Sequence, residues 1–196
     1  IASSITLAGR YTLAHGARLI PGSGATVTFG VMPSLPPAQC FDAASGSVVL
    51  PSGEWRAAWW GVAHDAANDQ TARLQKIIDA IPSQGAENVL PSGTIILNNG
   101  GSAAPLKIDK HNVTLRGQGR STVITKGQAN RVLIEVGSTG VVTEGNRIVG
   151  FRARDLHFNG GPFNDTADDY PHLYLRYVDD CIPENISGVN RPTGNR

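Results

Sequence analysis

The 196 residues are 40% hydrophobic and only 17% charged, a composition too apolar for a disordered segment. A net charge of +1 gives no electrostatic footprint for nucleic acid or an anionic membrane surface, and no run of about 18 apolar residues suggests a membrane span. The 23 glycines follow no triplet period, which excludes collagen and indicates many tight turns. The sequence therefore predicts a folded protein without nucleic-acid or membrane partners.

The amino-terminal segment 1–54 predicts a small β-rich module. Short runs rich in Thr, Val, Ile, Leu and aromatic residues alternate with Gly or Pro turns, as at Pro21–Gly24. The predicted strands cover residues 5–13, 17–20, 25–29 and 47–50. No part of this segment matches a helical period as well as the residues after 68 do.

Residues 55–67 predict a linker that contains all three tryptophans, Trp55, Trp59 and Trp60. Aromatic rings clustered in this way can stack on sugar rings or a base. Rings at a boundary between two modules can instead seal the apolar seam there, and we favour this packing interpretation. Both roles are kept as hypotheses for the cluster.

One amphipathic helix is predicted from residue 68 to Pro82, where proline ends it. Asn68 or Asp69 can cap its first amides. Four apolar residues form one stripe at spacings of i, i+3, i+4 and i+7, namely Leu74, Ile77, Ile78 and Ile81. We expect the helix to cover an apolar surface made of short strands, as a structural cap.

The chain after the helix predicts many strands of about three to six residues, separated by Gly, Asn, Asp or Pro. An apolar-polar-apolar triplet followed by a Gly or Asn corner recurs at residues 111–117, 154–160 and 180–187. A stack of parallel strands produces this pattern, because its corners need conformations that Gly and Asn adopt easily. A sandwich could give a similar list of strands, but the absence of clean hairpin signals favours a solenoid.

The order of these elements resembles the start of a single-stranded right-handed β-helix of the pectate-lyase-like superfamily, and bacteriophage tailspikes in particular. The residues that carry the resemblance are Trp59–Val62, Asp65, Asn68–Thr71 with the helix, Val89–Thr94 and Asn112–Gly119. The chain departs from the family pattern at Ala66, where Gly is usual, at Gln70, where Asp is usual, and at Ile95, where an aromatic residue is common. The resemblance implies an all-β fold: a neck or adaptor module (1–54), the linker (55–67), and a capping helix with the first β-helix rungs (68–196).

The resemblance also implies a function. Tailspikes are virion-attached receptor-binding proteins, so the expected partners are two further copies in a homotrimer, a phage tail or baseplate protein, and host surface polysaccharide. The neck would attach to the tail, and the glycan would bind beyond residue 196. Two alternatives remain open: a free polysaccharide lyase or glycoside hydrolase, and a non-catalytic bacterial adhesin. No cofactor is implied, and outside a virion the expected location is extracellular or on the cell surface.

The sequence offers only weak candidates for catalytic residues. The acidic segment with Asp165, Asp168 and Asp169 could bind saccharide hydroxyls or supply the carboxyl pair that glycoside hydrolysis needs, although a solvated loop is the simpler explanation. Asp155 and His157 could form an acid-base pair on one strand face, against the simpler interpretation of a surface histidine. The histidine spacing matches no metalloprotease motif, and no calcium-loop motif occurs, so no metal site is expected.

Two cysteines, Cys40 and Cys181, lie far apart in the sequence. The absence of a C-x-x-C motif excludes a thioredoxin-type redox site or a thiolate zinc site. Two free thiols are the simpler interpretation, and the sequence leaves open whether the pair forms a disulfide.

Overall fold

The computed structural model describes residues 3–42, 45–98, 105–129, 132–137, 147–160 and 172–189. The elements in these ranges are, in chain order, β1 (Ile5–Leu7), β2 (Thr26–Phe29), β3 (Ser47–Val49), β4 (Glu54–Arg56), a 3-10 helix (Ala57–Trp60), β5 (Asp65–Asp69), α1 (Thr71–Ala80), β6 (Ala86–Val89), β7 (Gly93–Leu97), β8 (Leu106–Ile108), β9 (Val113–Arg116), β10 (Thr122–Lys126), β11 (Ile134–Val136), β12 (Ile148–Val149), β13 (Arg152–Asn159), β14 (Leu173–Leu175), β15 (Val178–Asp179) and β16 (Ile182–Val189).

The chain is mostly β-structure arranged in parallel sheets, which include a curled half-barrel. One sheet has the order β1-β2-β3, and the largest has the order β4-β6-β9-β13-β10-β7-β5 with β16 added on β13. Two smaller sheets have the orders β14-β11-β8 and β12-β15. Every strand pair within the described ranges is parallel, and the predominance of strands confirms the predicted β class.

Paired residues recur at intervals along the chain that differ between sheets. From β4 onward, the sequence separation between the paired residues Ala86 and Val113 is among the shortest, and that between Ile134 and Leu173 is the longest. The intervals are shorter in the first sheet, where Ile5 pairs with Val27, and in the bridge between Thr12 and Ser34 beside it. After each such separation, the chain therefore forms a strand that pairs with an earlier strand of the same sheet.

Alternation along the strands builds the core. Residues on one side of a strand point inward, and parallel pairing aligns them with the inward residues of the next strand. Ile95 of β7, Ile124 of β10 and Phe158 of β13 are in register in this way, and all three are buried. One hydrophobic cluster extends from Val27 to Phe158, so the amino-terminal sheet and the later strands share it.

The helix begins later than the sequence predicts. Residues 65–69 form β5, whose Asp65 and Asp69 pair with β7, so this segment is extended and α1 starts at Thr71. Asn68 therefore lies in a strand, and Gln70 occupies the N-cap position. The Asp69 carboxylate still serves the first turn, because its Oδ1 accepts hydrogen bonds from the Thr71 N–H at 2.9 Å and the Thr71 hydroxyl at 2.6 Å.

The apolar stripe of α1 is buried between the two parts of the chain. Leu74, Ile77, Ile78 and Ile81 are almost completely inaccessible. The helix packs against β3 of the first sheet, against the 3-10 helix and against β8. It ends at Ala80, and Ile81 takes the extended conformation that is favoured for the residue before a proline.

The segment 55–67, predicted as a linker, contains regular structure: most of β4, the 3-10 helix and the start of β5. The indole rings of Trp55 and Trp60 stack with centroids 5.5 Å apart, and Trp60 also contacts the ring of Phe41. Trp55 Nε1 donates a hydrogen bond to the Pro51 carbonyl at 2.8 Å. These contacts join the first sheet to the strands that follow.

Candidate functional site

The outer face of the largest sheet carries a row of charged residues that we name the ion-pair ladder: Glu54, Glu87, Arg116 and Arg154. Parallel pairing places Glu54 of β4 opposite Glu87 of β6, and Arg116 of β9 opposite Arg154 of β13. Each of these residues is next to a buried residue of its strand, and its own side chain is at least partly exposed. Four strands that are distant in sequence thus contribute to one polar surface.

The ladder is held by opposite charges. Arg116 Nη2 lies 2.7 Å from Glu54 Oε2, and Arg116 Nε donates to Glu87 Oε1. The other carboxylate oxygen of Glu87 accepts from Arg154 Nη2 at 2.5 Å. Glu87 therefore binds two guanidinium groups, and its side chain is 24% exposed, against 45% for Glu54.

A cleft of about 360 Å³ lies at one end of the ladder, lined by residues that include Glu54, Arg56, Arg116 and Gln118. Its walls combine carboxylate, guanidinium and amide groups with the apolar residues Val89, Leu90 and Pro91. Groups of these types can hydrogen-bond the hydroxyls of a saccharide while its apolar face lies on the apolar wall. Because the carboxylates of Glu54 and Glu87 both accept hydrogen bonds from Arg116, the arrangement suits recognition better than proton transfer.

The structure places Asp155 and His157 on β13 but does not join them to each other. Asp155 lies at a bend with a φ of 55°, and its Oδ1 accepts a hydrogen bond from Asn185 Nδ2 at 2.6 Å. His157 Nδ1 lies 2.8 Å from the Ser187 hydroxyl. Each side chain thus bonds to β16, and among the described residues no hydrogen bond connects the two as an acid-base pair.

The remaining predicted site residues divide into two groups. Asp165, Asp168 and Asp169 lie outside the described residues. Trp55, Trp59 and Trp60 are all buried and their rings contact one another, which agrees with the packing interpretation. Trp60 also lines a cleft beside α1.

Other chemical features of the described part are few. No group of three or more His, Cys, Asp or Glu side chains there could hold a metal ion. The α-helix of this part is too short and too polar to cross a membrane. Cys40 and Cys181 are free thiols, and burial raises the pKa of both.

The residues of the ladder were missed in the sequence, where Glu54, Glu87, Arg116 and Arg154 read as ordinary polar positions of short strands. Alternation within each strand indicates that they point outward. No local signal, however, reveals which strands are neighbours, so the alignment of opposite charges could not be found without the pairing.

No protein-family model, curated protein or solved structure matches the chain. The site is therefore interpreted from its own residues.

Proposed function

We propose that the chain is the amino-terminal part of a tailspike-like receptor-binding protein that carries the first turns of a right-handed β-helix. The observation that carries the proposal is the uniformly parallel pairing of the described strands at recurring intervals, as between Ala86 and Val113 and between Ile134 and Leu173. A chain that pairs with itself in this way advances by one strand spacing per turn. The right-handed sense follows from the strong preference of parallel crossovers for that hand.

Repeated bends support the same interpretation. Asp155 and Asn185 occupy corresponding positions in β13 and β16, and both have positive φ angles, 55° and 51°. Asn and Asp are the non-glycine residues that adopt this conformation most readily. Their side chains are hydrogen-bonded to each other, as expected where the same corner recurs in successive turns of a β-helix.

The amino-terminal module is the proposed site of trimerisation and of attachment to a phage tail or baseplate protein. Several of its large apolar side chains are exposed in the single chain, namely Ile5, Tyr11, Ile20 and Val31. Three copies around an axis would bury such side chains. The protein would then be a virion component, and host polysaccharide would bind along the outer face of the turns that follow residue 196.

Sedimentation equilibrium tests the assembly. We expect a species of three times the 20.7 kDa chain mass at micromolar concentration. Ile20 is 58% exposed in the amino-terminal module, so Ile20→Glu should shift the equilibrium toward monomer. The matched control is Tyr177→Glu, because Tyr177 is 54% exposed but lies outside this module, and it should remain trimeric. A monomeric parent protein would contradict the proposal.

Glycan assays separate the alternatives. Residues 1–196 incubated with a panel of capsular and lipopolysaccharide glycans should leave the polymers uncut, whereas cleavage by this chain would favour a free lyase or hydrolase. Copurification of the full-length protein with phage tail particles is expected. A full-length protein that binds glycan, stays on a bacterial surface and never associates with tails would instead be an adhesin.

A further inference from the structure

A second cleft, of about 340 Å³, lies between the amino-terminal module and α1. Its lining includes Arg18, Gln39 and Asp42 from the module, Trp60 from the 3-10 helix, and Arg73 and Lys76 from α1. It shares no lining residue with the cleft at the ion-pair ladder. The two clefts are therefore separate, and this one joins the two parts of the chain.

The lining of this second cleft is predominantly cationic. Two arginines and one lysine face one carboxylate, in a chain whose formal net charge is only +1. Arg73 and Lys76 are three positions apart on α1, so they project from the same face of the helix. Cations that line one cleft repel each other, and an anion bound among them offsets that repulsion.

The arginines keep most of their hydrogen-bond donors available. Arg18 forms no side-chain hydrogen bond or ion pair with the part of the chain that the structure describes. Arg73 donates from Nη1 to the Gly61 carbonyl at 2.5 Å, which leaves Nε and Nη2 for a ligand. Guanidinium groups bind carboxylate and phosphate through paired hydrogen bonds, which a lysine ammonium cannot form.

The backbone at Gly61, whose carbonyl accepts the hydrogen bond from Arg73, is closely packed against Gln39. Gly61 has a φ of 70°, and a Cβ added there would lie 2.6 Å from Gln39 Cδ. Gln39 Nε2 in turn donates to the Phe41 carbonyl at 3.1 Å. Because the Gly61 carbonyl fixes Arg73, this guanidinium is positioned before a ligand arrives, which reduces the entropic cost of binding.

We propose that this cleft binds a small organic anion of about monosaccharide size, whose carboxylate or phosphate group is held between Arg18 and Arg73. The volume lies within the usual range of small-molecule sites, at its lower end. The bound anion would connect the module to α1, so it should also raise the stability of the fold by binding only the native state.

Calorimetric titration at low ionic strength tests the proposal with four probes: glucuronate, glucose 6-phosphate, inorganic phosphate and neutral glucose. We expect at least one sugar anion to bind and to raise the melting temperature, and neutral glucose to do neither. A preference for glucuronate or for glucose 6-phosphate identifies the anionic group. Binding of neutral glucose as tightly as both anions, or no binding of either anion at millimolar concentration, overturns the proposal.

Two substitutions distinguish a defined site from general charge attraction. Arg18→Gln should weaken anion binding about tenfold or more, with an unchanged melting temperature in the absence of ligand, since Arg18 has no side-chain partner to lose among the described residues. Arg120→Gln removes the same charge from an exposed position outside the cleft and should leave binding unchanged. An equal loss of anion affinity in both variants would contradict a defined binding site in the cleft. Neither result bears on the trimer and glycan assays, because their variants do not touch this cleft.

Discussion

The middle strands β7, β10 and β13 of the largest sheet and the last described segment, residues 173–182, both contain apolar residues but differ greatly in burial. In β7, β10 and β13 the inward residues Ile95, Ile124 and Phe158 are buried. In residues 173–182, four large apolar side chains are exposed, namely Tyr174, Leu175, Tyr177 and Ile182. Both regions are made of short strands in parallel pairs.

The difference in burial arises from the number of strands that pair with each region. β13 pairs with β9 and β10 on one side and with β16 on the other, whereas β16 pairs with β13 alone among the described strands. In the other sheets, β8 and β3 are covered by α1. Alternation therefore decides which way a side chain points, and the strand or helix stacked against it decides whether it is removed from water.

The largest expected effect is at the covered region. Ile78→Asp places a charge without a partner at a fully buried site of α1, and it should lower the free energy of unfolding by about 4 kcal/mol or more. Ala72→Asp is the control, because it adds the same charge to an exposed position of the same helix. Denaturant titration of both variants measures the difference. If Ile78→Asp unfolds like Ala72→Asp, the packing of α1 does not stabilise the fold.

A stabilising change is expected at Asn88 of β6. This side chain is 0% exposed, and neither its Oδ1 nor its Nδ2 has a hydrogen-bond partner among the described residues, although Trp55 and Leu115 flank it in register. Asn88→Val removes two unsatisfied polar groups and should raise the free energy of unfolding by about 1 to 3 kcal/mol. Thermal melting with and without the substitution measures this.

Asn98 is the matched comparison for Asn88. It is equally buried, but its Nδ2 donates to the Val132 carbonyl at 2.5 Å and its backbone N–H donates to the Thr71 hydroxyl at 2.8 Å. Its φ of 61° also disfavours a β-branched residue. Asn98→Val should therefore destabilise the protein. Equal effects at the two positions would show that hydrogen bonding does not distinguish them.

A smaller effect on the free energy of unfolding is expected in the ion-pair ladder on the outer face of the largest sheet. Glu87→Gln removes the charge that binds both Arg116 and Arg154 and should cost about 1 kcal/mol, decreasing as salt is added. Glu54→Gln should cost less, because Glu54 is more exposed than Glu87 and one of its two arginine partners, Arg56, lies 3.3 Å away on its own strand and is itself 52% exposed. Urea titrations at low and high salt compare the two. A larger cost for Glu54→Gln would contradict the central place of Glu87.

Labelling of the two cysteines measures the difference in burial without a substitution that would change stability. Cys181 is partly exposed in the last described segment and Cys40 is fully buried, so iodoacetamide should modify Cys181 in the native protein and Cys40 only after unfolding. Burial raises the pKa of Cys181, so less thiolate is present near neutral pH. Its labelling rate should therefore continue to rise above about pH 8.5, the ordinary pKa of a free thiol. Native labelling of Cys40 at a similar rate would contradict the difference in burial.

Local patterns in the sequence predicted several features well. The i, i+3, i+4 spacing of Leu74, Ile77 and Ile78 predicts the buried face of α1, because a helix repeats every 3.6 residues whatever surrounds it. The start of α1 was misplaced, since Asp65 and Asp69 are drawn into a strand by pairing with β7, and pairing is not a local property. Tertiary context overrides the polar, helix-initiating character of that segment.

The sequence by itself determined the β class, the buried face of α1 and the inward or outward direction of most strand residues, because these depend on side-chain periodicity and turn chemistry within a few residues. Only the tertiary structure decided which strands are neighbours. Ile5 pairs with Val27 in the first sheet, whereas Ile134 pairs with the much more distant Leu173, so no fixed repeat in the sequence reveals the pairing. The ion-pair ladder and the cationic cleft both depend on tertiary contacts, since each is assembled from residues that are distant in sequence and meet only when the chain folds back on itself.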